Sequence, residues 1–360
     1  MPITTIGTFS VQRLQILDEK GNVDKALEPK LSNDILKKIY YQMISSRAFD
    51  DKCINLQRQG KIGTYAPVRG HEAVQIGTAF ALESKDWLFT TYRDSAVLMA
   101  RGLPASQLIQ YWAGNEAGND TSSERNNFPI AIAVGTQLSH AVGAGYAFKL
   151  RGERCATAVL FGDGATSEGD SHDAFNFAGV LKTPTVFICE NNQFAISVPR
   201  KCQTAANTIV QKSIAYGIKG IQVDGNDALA VYKAVKDALE NARAGNGPTL
   251  IECETFRMGQ HTTSDDPTRY MPKELLEEWK KRDPVIRFEG YLKSKGILND
   301  NEIKNLKEMA EREIKNAVEK GLTEMQILPS DIFKYTFAEM PKCIEKQMRE
   351  MEETIKLKNG

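Results

Sequence analysis

The chain has 360 residues, of which 41% are hydrophobic and 26% charged, and its 46 Lys+Arg balance its 46 Asp+Glu. That balance argues against a nucleic-acid binder, which carries a basic excess. No apolar run approaches a membrane span, the opening MPITTIGTFSVQRLQ lacks a signal-peptide core, and six scattered cysteines without a CxxC pair read as reduced thiols of a cytoplasmic protein.

In chain order, residues 1–31 read as an irregular N-terminal arm. A helix is expected after Ser32, with Ile35, Leu36, Ile39, Tyr40 and Met43 on one face. Residues 113–128, AGNEAGNDTSSERNNF, read as a surface loop. Then the pattern alternates. ATAVLF (156–161) is a predicted strand, Ser167 to Leu181 a helix, PTVFICE (184–190) a strand and IKGIQV (218–223) another. A helix burying Leu229, Val231, Val235, Ala238, Leu239 and Ala242 follows, then a strand in PTLIECETF (248–256). Strand, helix, strand repeated in this way predicts an α/β fold with a parallel sheet. From 273 the composition turns to charged amphipathic helix, with Ile303, Leu306, Ala310, Ile314 and Ala317 on one side and Asn299 and Glu302 spaced as a capping box. The expected division is an arm (1–31), an α/β domain (32–272) and a helical C-terminal region (273–360).

Ligands of open parallel sheets sit beyond the carboxyl ends of the strands. Asp163 falls at such an end, inside Gly162-Asp163-Gly164, and Asn191-Asn192 falls at the end of the next strand, with 26 residues between the two motifs. A carboxylate and an amide oxygen side by side suit a hard cation whose shell phosphate oxygens complete. Gly164 leaves room for close approach, and a helix start near Ala165 and Thr166 offers N–H groups to an anion. Either half alone reads more simply as a turn. Val223 to Asp227, VDGND, is another Asp-Gly after a strand, and ERNNF another Asn pair. The combination with this spacing is what points to a ligand. Neither GxGxxG nor GxxxxGK[ST] is present.

GDG, 26 residues and NN is the thiamine diphosphate motif, and GDGATSEGDSHDAFNFAGV with ENNQFAISVPR resembles the alpha subunit of the decarboxylating first component of 2-oxo acid dehydrogenase complexes. The similarity runs from LQRQGKIGTYAPVRGHEA through FTTYRDSAVLMARGLP to HTTSDDPTRY. The resemblance implies a three-layer thiamine diphosphate-binding fold. It implies Mg²⁺ on Asp163, Asn192 and the main-chain carbonyl of Phe194, and diphosphate contacts from Tyr92 and Arg93. Gly164 and Ala165 then lie against the cofactor, main-chain groups of Ile132 and Val134 bind its aminopyrimidine, and Ile196 belongs to the wall that keeps it bent. His261 faces the reacting carbon, Thr262 stands where animal relatives carry a phosphoserine, and Thr136 and Gln137 match a potassium site of some relatives. His71, which replaces a usual Gln, is assigned with His140 and His172 to packing or interfaces.

The resemblance also implies an enzyme that decarboxylates a 2-oxo acid oxidatively and passes the acyl fragment to the lipoyl group of a partner acyltransferase. The glutamate that activates the cofactor has no place in this reading of the chain and is implied to come from a separate beta subunit, in an assembly of two alpha and two beta chains. The small-residue helix GTQLSHAVGAGYAF (135–148) suits either subunit contact or tight internal packing. Ile132 and NNQFAISVP lean towards pyruvate, and ATSEGDSHDAFNFA leans towards branched-chain 2-oxo acids. Residues 113–128 depart from the family at the expected substrate entrance. A reading of another class is a non-catalytic module that binds a Mg²⁺-diphosphate ligand.

Overall fold

The computed structural model describes residues 3–120, 126–324, 328–334 and 336–359. Its strands are β1 (Arg13–Leu14), β2 (Trp87–Phe89), β3 (Thr157–Gly162), β4 (Thr185–Asn191), the small hairpin β5 (Phe194–Ala195) and β6 (Val198–Pro199), β7 (Lys219–Asp224) and β8 (Thr249–Glu254). The first half contributes the helices α1 (Asn33–Arg58), α2 (Glu72–Ala81), α3 (Ser95–Ala100), α4 (Ala105–Trp112), α5 (Thr136–Leu150) and α6 (Gly169–Leu181). The second half adds α7 (Arg200–Gln203), α8 (Lys212–Ala215), α9 (Ala228–Arg243), α10 (Lys273–Lys280), α11 (Pro284–Ser294), α12 (Asp300–Thr323), α13 (Asp331–Lys334) and α14 (Lys342–Asn359).

Among the described residues, six strands form one parallel sheet in the order β1-β7-β8-β4-β3-β2. The central strands β3 and β4 read as unbroken apolar runs because helices cover both faces. Alternation along each strand divides their side chains between two cores. Ala158, Leu160, Val186 and Ile188 join the core built with α1, α2 and α9. Val159, Phe161, Phe187 and Cys189 join the one built with α5 and α6. The result is the expected three layers.

The amphipathic reading of the C-terminal helices holds in detail. Asn299 and Glu302 form the reciprocal capping box, and Ile303, Ala310 and Ile314 are buried. These side chains share the core of α1 and α2, so the change of composition at 273 is not accompanied by a change of core. None of residues 342–358 of α14 is buried. No helix among the described residues is long and apolar enough to cross a membrane.

Several local expectations change. The segment 72–112 was not resolved into elements by the sequence, because α2 is buried on nearly every side and so shows no period, and β2 has only three residues. Residues 163–167 form a 3-10 turn, with helix α6 starting only at Gly169. In the loop at 113–128, Glu116 and Ala117 are exposed but Gly118 is buried, and 121–125 lie outside the described residues. Its end instead runs beside β2, where Leu88 N–H donates to the Asn126 carbonyl and Asn127 is buried. In α5 the small residues do two things. A Cβ at Gly145 would lie 2.9 Å from Thr185 Oγ1, so that glycine permits tight packing on the sheet, whereas Ser139, His140 and Gly143 are exposed.

The N-terminal arm is not free. Its residues 13 and 14 pair with β7 as an edge strand, and the backbone N–H groups of Ile16 and Leu17 donate to Asp227 Oδ2 at 2.6 and 2.7 Å. Asp227 Oδ1 meanwhile caps α9 by accepting from Leu229 and Ala230 N–H. Asp224, in the same VDGND turn, accepts from Gln15 and from the buried Arg287. This second Asp-Gly is therefore a structural anchor. Replacing Asp227 by Ala strands buried N–H donors and is expected to cost about 3 kcal/mol, read by urea denaturation, with faster hydrogen exchange confined first to residues 13–17.

Candidate active site

The cavity of interest lies beyond the carboxyl ends of β2, β3, β4 and β8 and contains about 820 Å³ of empty space, its open mouth included. The parallel pairing of β3 with β4 sets Gly162 opposite Glu190. The residues that follow each strand then emerge together, and Asp163 and Asn192 both line the cavity. Alternation separates the two asparagines. Asn191 turns into the protein and donates to Glu252 Oε1 at 2.7 Å, while Asn192 stays with the cavity and its side-chain oxygen accepts from Phe194 N–H at 3.2 Å.

Asp163 is buried, and one oxygen, Oδ2, accepts from Gln203 Nε2 at 2.9 Å. The other, Oδ1, is buried with no hydrogen-bond partner among the described residues. Burial pushes this carboxyl above its usual range, against the opposing hydrogen bond from Gln203. A buried carboxylate oxygen without a partner is costly, and a cation would relieve that cost. Gly164 sits beside it where a Cβ would come within 2.9 Å of the Ala195 Cβ, so only glycine fits the approach of the β5–β6 hairpin. Ala165 lines the same wall from the 3-10 turn. These features suit a hard cation together with an anionic group.

Tyr92 and Arg93 follow β2 into the cavity. Arg93 is buried and held on several sides. Its guanidinium donates to the Pro67 carbonyl, to the His261 carbonyl and to His261 Nδ1, each at 2.9 Å. The Pro67 carbonyl is placed in turn by Asp50, which accepts from Tyr65 Oη and from Val68 and Arg69 N–H. Buried Gln75 of α2 fixes the turn from below, donating to the Arg93 carbonyl and accepting from Ala96 N–H. Segment 131–134 runs alongside, with the Ala131 N–H on the Thr90 carbonyl. It brings Ile132 and Val134 to the mouth with their side chains 56% and 47% exposed. Ile196, 58% exposed, lines the same mouth and is not core. Its φ of 53° is a left-handed conformation disfavoured for a β-branched residue. Thr136 begins α5, and Gln137 lines the cavity while donating to the Leu160 carbonyl.

His261 reaches the cavity from the loop after β8. Arg93 and, at 3.3 Å, Arg257 both point guanidinium N–H groups at its Nδ1. A guanidinium only donates, so Nδ1 accepts and the ring proton belongs on Nε2. Burial first, then the two arginines, push this histidine down to about 3. Thr262 beside it is half-buried, and its hydroxyl accepts from Ser264 N–H.

Some functional neighbours escaped the sequence. His71 was assigned to packing or an interface. It lies in the cavity wall instead, fully buried, with Nδ1 2.8 Å from Glu190 Oε2. Burial drives both towards their neutral forms, Glu190 up to about 8 and His71 down to about 3. The sequence reading also gave the cavity no glutamate, yet Glu190 and the exposed Glu168 line it. Arg257 was passed over as well. It donates to the Ile196 carbonyl at 2.6 Å and to Tyr270 Oη at 2.7 Å, bracing both sides of the mouth. Glu190 had a readable signal, as an acid ending an apolar strand directly before the asparagines. His140 and His172 lie elsewhere, against the Phe128 ring and the Tyr216 hydroxyl.

A parallel three-layer α/β fold brings a carboxylate, an amide and a buried arginine together at its strand ends. Comparison agrees in kind: residues 40–328 match the family model described as dehydrogenase E1 component, and the chain belongs to that family, whose enzymes use thiamine diphosphate. It is 42% identical over 335 residues to the pyruvate dehydrogenase E1 component subunit alpha of Bacillus subtilis (strain 168), covering 92% of this chain and 90% of that protein. The subunits of the same name from Staphylococcus aureus (strain Mu50 / ATCC 700699) and Bacillus cereus are each 41% identical, over 93% of this chain and 91% of theirs.

The chain has four histidines, few enough to follow individually by ring NMR. Because both are held well below the ordinary histidine range, His71 and His261 are expected to stay neutral from pH 8 to pH 5. Their folded values lie below the unfolded ones, so each opposes folding progressively as pH falls from about 6.5 towards 3. A ring shift of either that titrates near pH 6.5 in the folded chain counts against the packing described.

Proposed function

We propose that this chain is the alpha subunit of a pyruvate dehydrogenase E1 component, and that it holds the diphosphate end of thiamine diphosphate through Mg²⁺. The observation that carries the reading is the buried, unpartnered Oδ1 of Asp163 beside Asn192 at adjacent strand ends. Asp163, the Asn192 side-chain oxygen and the Phe194 carbonyl would ligate the ion. One carboxylate is a thin charge supply for Mg²⁺, so phosphate oxygens are needed to complete the shell and the ion arrives with the cofactor. Among the described residues there is no cluster of three or more His, Cys, Asp or Glu to hold a metal alone.

Arg93 and Tyr92 would take the diphosphate, the guanidinium matching phosphate oxygens better than a point charge does. Gly164 and Ala165 line the approach, main-chain groups of Ile132 and Val134 would meet the aminopyrimidine, and Ile196 would press on the bent cofactor. Bound there, the cofactor supplies the electron sink that lets a 2-oxo acid lose CO₂. His261, neutral and protonated at Nε2, would donate a hydrogen bond at the reacting end and can hand on that proton during acyl transfer. The acceptor in this reading is the lipoyl group of a partner acyltransferase.

The mouth also supports a missing half. Ile132, Val134 and Ile196 form an apolar rim exposed in the single chain, which a beta subunit would cover in an assembly of two alpha and two beta chains. Glu190 is engaged with His71, and the activating glutamate is assigned to that partner. Pyruvate is preferred over branched-chain acids because the relatives named above are pyruvate enzymes. A cytoplasmic place and the absence of nucleic-acid or membrane partners complete the proposal.

The Asp163→Asn chain is expected to bind Mg²⁺-thiamine diphosphate about 100-fold more weakly by calorimetry, with an unchanged fold by circular dichroism. The wild-type chain should decarboxylate pyruvate only after its beta partner is added. Turnover by the chain alone defeats the half-site proposal. Tight cofactor binding with no turnover even in the complex supports a non-catalytic binding module instead.

A further inference from the structure

Gln203 sits in the four-residue helix α7, 40 positions after Asp163, and has no role in the function proposed above. Its amide nitrogen donates to Asp163 Oδ2 at 2.9 Å and lies 3.3 Å from the Val198 carbonyl. Both neighbours are acceptors, so the nitrogen, not the oxygen, must face them. Val198 belongs to β6, which pairs with β5 so that Pro199 lies opposite Phe194. Gln203 therefore ties the end of β3 to the hairpin that carries the Phe194 carbonyl. It occupies one carboxylate oxygen of Asp163 and leaves Oδ1 buried without a partner.

We infer that Gln203 is a positioning residue that restricts Asp163 to a single metal-facing oxygen and thereby selects a small octahedral cation over a larger one. The inference rests on the Mg²⁺-diphosphate reading above. Mg²⁺ demands close, regular octahedral geometry, whereas Ca²⁺ accepts more ligands and bidentate carboxylates. With Oδ2 held on the Gln203 side, turning Asp163 to set both oxygens on one ion costs that hydrogen bond. Without the amide the carboxylate is free to turn, and the larger ion loses its handicap.

The test uses the full chain with its beta partner at saturating thiamine diphosphate, with Mg²⁺ and Ca²⁺ competing against Mn²⁺ and free Mn²⁺ read by electron paramagnetic resonance. Gln203→Met keeps the bulk and removes the donor, and Gln203→Ala removes both. Each is expected to lower the preference for Mg²⁺ over Ca²⁺ by about tenfold, the usual effect of losing an outer hydrogen bond to a metal ligand. A variant that weakens both ions equally has only a structural role for Gln203, and an unchanged ratio likewise overturns the inference. If the wild-type complex retains no divalent ion with the cofactor, the underlying reading fails with it, and that outcome is separate because it appears before any substitution.

Discussion

The hydrogen-bonded register between β3 and β4 is the constraint on which the rest depends. It sets Gly162 against Glu190, so the chain leaves both strands at the same height. The lining of the cavity follows from that height: Asp163 one residue past its strand, Asn192 one past its own, and the hairpin from Phe194 folding back over Gly164. A slip of one residue would exchange the faces of the whole strand and send Asn192 inward in place of Asn191. Both strands are apolar on both faces, so the cost of such a slip lies in size and shape, with Phe161 and Phe187 forced into space packed around Leu160 and Ile188.

The layer structure was legible because its causes are local. Apolar runs of strand length, the spacing of Leu229 to Ala242 and the Asn299–Glu302 cap all announce themselves within a few residues. The same holds for Asp163 and Asn192, whose two short motifs are separated by one helix and one strand. What escaped depends on long-range burial. Nothing near His71 in sequence shows that Glu190 lies 2.8 Å away across 119 positions. Arg257 looks like any charged residue after a strand until the Ile196 carbonyl and Tyr270 are seen around it. The arm was unreadable for a related reason, since Asp227 organises it from more than two hundred residues away.

Asp224 and Asp227 have their oxygens filled by backbone N–H groups, Gln15 and Arg287, and they serve as anchors. Asp163 has one oxygen filled and one left over. Sequence context cannot separate these cases, because the difference lies in what the rest of the chain brings to each carboxylate. The buried acceptor left unfilled beside a cavity is what separates Asp163 from the two anchors.

Arg93 has a consequence of its own. Three of its contacts go to the Pro67 carbonyl and to the main-chain carbonyl and Nδ1 of His261, all within the protein. Any anion that recruits this guanidinium competes with the histidine for the same fork of donors. Occupancy of the cavity and the posture of the segment bearing His261 are thus thermodynamically linked, and the linkage is reciprocal: whatever steadies one arrangement of that segment alters the affinity for the anion by the same factor.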